Sequence, residues 1–86
     1  MTGDDARAAL LAGVAEQLIA HRVRLGYGVE EAATQAGVDA ERLAAAENGT
    51  GALAEDELQR LADAYGVGVP ALFGGRVTPL AYLAGA

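Results

Sequence analysis

The chain has 86 residues, a net charge of −6 and 52% apolar residues, so it can bury one small core with little stability in reserve. It has no cysteine, serine or lysine and a single histidine, which excludes disulfides, cysteine metal sites and the usual nucleophile–base pairs. An enzyme is not expected, and no cofactor or metal is implied. No apolar run approaches the ~18 residues of a membrane span, and no basic segment precedes an apolar one at the N-terminus, so a cytoplasmic, non-membrane protein is expected.

Taken in order, Asp4 and Asp5 suit the positive end of a first helix. From Ala6 to Leu25 the apolar positions Leu10, Leu11, Val14, Leu18 and Leu25 recur at helical spacing, and Gly26 closes the segment. Its first turns carry leucines that look exposed. Tyr27 turns inward. His21 falls on the usually apolar face of this helix, where a half-buried, hydrogen-bonded histidine is expected rather than a ligand.

The stretch Gly28–Gly49 organises the chain. Two short helical patterns, Val29–Ala36 and about Ala40–Glu47, are separated by too few residues for a long-armed hairpin but enough for two helices crossing steeply. Ala33 is small enough for close approach. Gly37 can end the first helix in a left-handed conformation, and Asp39 can cap the second. Val38, Leu43 and Ala46 form the inward stripe.

Asn48-Gly49-Thr50-Gly51 reads as a loop. Glu55, Asp56 and Glu57 crowd the first turn of a fourth helix running to Tyr65, with Leu58, Leu61, Ala62 and Tyr65 inward; their cluster reads as helix-start electrostatics rather than a metal site. Pro70 suits the first turn of a short fifth helix, Pro70–Phe73. Leu80, Tyr82 and Leu83 are too apolar for a free tail. The expected fold is all-α, a single domain over residues 1–86.

From about Leu18 to Phe73 the sequence resembles the Cro/repressor-type helix-turn-helix family, often called XRE. The resemblance is carried by Gly26-Tyr27, Ala33, Gly37-Val38, Leu43, Glu47-Asn48-Gly49, Leu58, Leu61-Ala62, Tyr65-Gly66-Val67 and Leu72-Phe73. It implies a five-helix domain (core about 18–73), to which this chain adds an extended first helix (4–17) and an ordered C-terminal tail (74–86). It also implies a dimer that binds operator DNA as a transcriptional regulator, expected here to be a repressor. The family's structural ion pair falls on Arg22 and Glu47.

Departures from the family concern the DNA face. The second helix opens with Gly28 and Val29 where a polar pair is usual. The third presents Asp39, Ala40, Glu41, Arg42, Ala44 and Ala45, of which Arg42 is the usual kind of base reader, while alanine can touch a thymine methyl and a carboxylate can accept from cytosine. From Arg22 to Gly51 there are three arginines (22, 24, 42) and five acids (30, 31, 39, 41, 47), a balance of −2. That is the wrong sign for non-specific affinity to phosphate.

The expected site therefore has Asp39, Ala40, Glu41, Arg42 and Ala45 facing bases of double-stranded DNA. Val29, Glu30 and the turn from Asn48 to Thr50 lie near phosphates. Arg24 and Arg42 serve either as phosphate contacts or in ion pairs to Glu41 or Glu30. Leu10, Leu11 and Val14 with Leu80, Tyr82 and Leu83 are expected at a homodimer interface, the alternative being that Leu80 and Leu83 cover Leu10, Leu11 and Val14 within one chain. A second reading keeps the fold but uses its acidic face to hold another protein with a basic surface.

Overall fold

A computed structural model describes residues 3–73, with side chains from Arg7 onward. Four α-helices follow one another: α1 (Gly3–Arg24), α2 (Val29–Ala36), α3 (Ala40–Glu47) and α4 (Glu55–Tyr65), then a 3-10 helix at Val69–Phe73. There is no strand among the described residues.

Local chemistry sets the boundaries. At the end of α1, Gly26 takes φ of 76°, and its N–H and that of Tyr27 return to the carbonyls of Val23 and Arg22. Gly37 does the same for α2 at φ 72°, with the Val38 N–H on the Ala33 carbonyl at 3.0 Å. Asp39 then starts α3 by accepting the Arg42 N–H at 3.1 Å. Gly28, without a side chain, caps α2 through its backbone carbonyl alone, which takes the Ala32 N–H at 2.9 Å.

The core lies where all the elements meet. Leu18, Leu43, Leu58, Leu61, Leu72 and Phe73 are fully buried, with Val14, Leu53 and Tyr65 beside them. Ala32, Ala33 and Ala36 let α2 pack closely, and α2 lies against both α3 and α4. α1 lies against α3 and the 3-10 helix. Burying each leucine contributes about 2 kcal/mol before entropy is counted.

Three expectations change. The fifth element is 3-10 rather than α: its closure is the Ala71 N–H on the Gly68 carbonyl at 3.0 Å, and five residues including Pro70, which has no N–H to donate, are too few to propagate an α-helix. Leu25 lies past the end of α1 and is 42% exposed, because the turn at Gly26 rotates it off the helix face. Val14 is 1% exposed and belongs to the core, so it has no surface to give a dimer interface. Leu10 and Leu11 are half-buried, with Leu11 packed against the core. Leu80, Tyr82 and Leu83, and the rest of the 74–86 tail, lie outside the described residues.

Candidate nucleic-acid interface

The outer side of α3 and the start of α2 form the face expected to meet DNA. Glu30, Asp39, Glu41 and Arg42 are exposed, and so are Asn48 and Thr50 after α3. Val29 and Ala40 are half-buried against the core. Ala45 is also half-buried. Its carbonyl accepts both the Thr50 N–H at 2.9 Å and the Thr50 hydroxyl at 3.1 Å, and a Cβ on Gly51 would come within 3.2 Å of its methyl. The loop thus folds back over Ala45 and covers part of the surface expected to face bases.

The arginines stitch the motif together. Arg22 donates from Nε and Nη2 to the two carboxylate oxygens of Glu47, each at 2.8 Å, and from Nη1 to the Tyr27 carbonyl at 2.8 Å. Both side chains are shielded, at 15% and 6% exposure. This fork ties the end of α1 to the last turn of α3 and to the turn before α2, and the Glu47 hydrogen bond pushes the Arg22 pKa up. Arg24 donates to the Tyr65 carbonyl at 3.0 Å, satisfying an orphan carbonyl in the last turn of α4. Arg60 bridges Asp56 at 2.8 Å and the Gly37 carbonyl at 3.0 Å, fastening α4 to the turn of the helix-turn-helix.

Arg42 pairs with neither Glu41 nor Glu30. Its Nε and Nη2 donate to Glu57 Oε2 and Oε1 at 2.7 and 2.6 Å, with the side chains 52% and 13% exposed. Glu57 Oε1 also accepts the Ala54 N–H at 2.8 Å, so this residue caps α4 as well as holding Arg42. The Arg42 hydrogen bonds hold the Glu57 carboxyl below its ordinary range, and the same bonds raise the Arg42 pKa. Helix-start electrostatics alone therefore does not describe the acidic cluster. Among its three acids, Glu57 alone reaches across to α3; a partner fifteen positions from Arg42 leaves no periodic trace in the sequence.

His21 differs from expectation in its bonding. It is half-buried, but its Nε2 is buried without a hydrogen-bond partner, and so is the Tyr65 hydroxyl. The two rings stack with centroids 6.4 Å apart. Packing on the aromatic face has won over a polar partner. Burial pushes the Tyr65 phenol up to about 12, with Glu47 adding to the shift and Arg22 opposing it.

Among the described residues no cluster of His, Cys, Asp or Glu could hold a metal ion, and no helix is long and apolar enough to cross a membrane. No curated protein matches the chain. A solved structure from Neisseria, a hypothetical transcription factor named NHTF, superimposes with a TM-score of 0.71 at 29% identity, covering 87% of this chain and 83% of that one. Residues 14–72, which hold α2, α3, α4 and most of the core, match the family model of a helix-turn-helix domain. The chain belongs to that helix-turn-helix domain family.

Proposed function

We propose that this protein is a sequence-specific DNA-binding transcriptional regulator of the XRE type, a repressor that lays α3 in the major groove. The observation that carries the reading is the family match over residues 14–72, placed on a chain whose α3 start is its exposed end. The similarity to a hypothetical transcription factor supports it. Arg42 with Asp39, Ala40, Glu41 and Ala45 face bases, while Val29, Glu30 and Asn48 to Thr50 lie near phosphates. The protein works as a homodimer whose half-sites stand about one DNA turn, ~34 Å, apart. Leu10 and Leu11 at the start of α1, with Leu80, Tyr82 and Leu83 of the tail, form the interface. The arginines of the motif are bound to protein acceptors, so few counterions are released and the salt dependence is shallow.

Fluorescence anisotropy with duplex from upstream of the protein's own gene, beside scrambled duplex at low and near-physiological salt, tests this. Preference for the upstream duplex that survives added salt supports a sequence-reading regulator. Absence of binding to both at low salt favours a second reading, an acidic module that holds a protein with a basic surface. One observation favours that alternative: Arg24, Arg42 and Arg60 all donate to protein acceptors, whereas Glu30, Asp39 and Glu41 are exposed and form no ion pair among the described residues.

A further inference from the structure

Glu57 stands outside the helix-turn-helix, yet it decides where the Arg42 guanidinium points. The clamp is one-sided. Nε and Nη2 donate to the carboxylate, which occupies one edge of the planar fork. Among the described residues Nη1 has no partner, so the end edge, made of Nη1 and the second Nη2 hydrogen, stays open on a side chain that is half exposed. Glu57 itself is shielded and held from behind by the Ala54 N–H. The root of Arg42 is fixed as well, since Asp39 takes its backbone N–H.

Charge decides what the open edge suits. Joined to a carboxylate, the guanidinium is net neutral and a poor competitor for the counterions around phosphate. What remains is a pair of parallel donors at fixed spacing. In the major groove guanine presents two acceptors, O6 and N7, to such a fork.

We propose that Glu57 is a positioning residue for base recognition, holding the Arg42 guanidinium with its Nη1 and Nη2 edge outward so that the protein reads a guanine. The inference rests on the DNA-binding reading above and adds to it the base and a residue outside α3. A fork fixed before binding loses less side-chain freedom when the complex forms.

Selection of bound duplexes from a random-sequence pool tests this, using the whole chain as wild type, R42A, E57Q and E57A. The melting temperature of each variant is measured first. Wild type is expected to enrich guanine at one position of each half-site by about tenfold over other bases, and R42A to lose that enrichment. E57Q and E57A are expected to reduce it to about twofold at that position alone, with preferences elsewhere retained. E57Q keeps the melting temperature, because its amide oxygen still accepts the Ala54 N–H, while E57A loses that cap and melts somewhat lower. If E57Q keeps the full guanine preference, the positioning role is overturned while the DNA reading stands. Guanine enrichment that survives in R42A overturns it too. So does a loss of preference at every position with a fall in melting temperature, which marks Glu57 as a fold residue. A wild type that enriches no sequence removes both this inference and the reading beneath it.

Discussion

Two arginine–carboxylate forks sit at opposite ends of α3, and they differ in what surrounds them. Arg22 and Glu47 meet at its C-terminal end, with each of the three guanidinium nitrogens bonded and both partners shielded. Arg42 and Glu57 meet at its N-terminal end with the same bidentate chemistry, but Arg42 is half exposed and one edge of its fork is open. The difference teaches that pairing alone does not assign a role. Removing one partner of the inner pair strands a charge away from water, whereas in the outer pair Arg42 is already half in solvent and Glu57, if Arg42 is lost, keeps the Ala54 N–H as a partner.

The largest effect is therefore expected at the inner fork. Glu47→Ala should cost about 2 kcal/mol in urea denaturation, below the range for a fully buried pair because Arg22 keeps 15% exposure. A double change to apolar residues, R22M with E47L, should cost less than the single one. If Glu47→Ala unfolds no more readily than wild type, the two forks are energetically alike and the contrast fails.

At the outer end, Asp39→Ala removes the side-chain acceptor for the Arg42 N–H and should cost about 1 kcal/mol, read from the same denaturation curves. An unchanged midpoint would mean that water replaces the cap without loss.

Tyr65→Phe sharpens the inner end from the other direction. Its hydroxyl is buried without a partner, so its removal should leave the protein as stable or raise stability by about 1 kcal/mol. The folded-state phenol is raised to about 12 from 10, so its contribution is complete below pH 10 and is lost as pH rises toward 12. Wild type should thus lose stability across that window, and the phenylalanine variant should lose less. A steeper alkaline loss in the variant would contradict the burial account.

The smallest effect on stability is expected from Arg42→Ala, which should lower the urea midpoint only slightly near neutral pH, since Glu57 keeps the Ala54 N–H. The Glu57 carboxyl is lowered in the folded state, so what the outer fork contributes is present above the ordinary value of 4.5 and fades as pH falls through the lower folded one. Melting temperatures taken downward from pH 5 should therefore converge for wild type and Arg42→Ala. Divergence toward acid would show that the fork is not the titrating contact.

The elements themselves were legible because their signals are local. Gly37 must reach positive φ to end α2, and Asp39 must sit three residues before the N–H it caps, so both act within a turn of chain and can be read in place. The 3-10 geometry at Val69–Phe73 was less legible, since Pro70 opens an α-helix and a 3-10 turn equally well and length decides between them.

By itself, the sequence determined an all-helical chain of this element order, with a glycine turn between two short helices and an acidic surface. Tertiary structure decided how the charges are spent. Arg42 found Glu57 rather than Glu41 or Glu30, Arg24 found the end of α4, Val14 entered the core, and His21 settled against Tyr65. Each outcome depends on the angle at which one helix crosses another. Periodicity along a chain says which face of a helix is apolar, but only packing says which side chains of another element that face and its rim will meet.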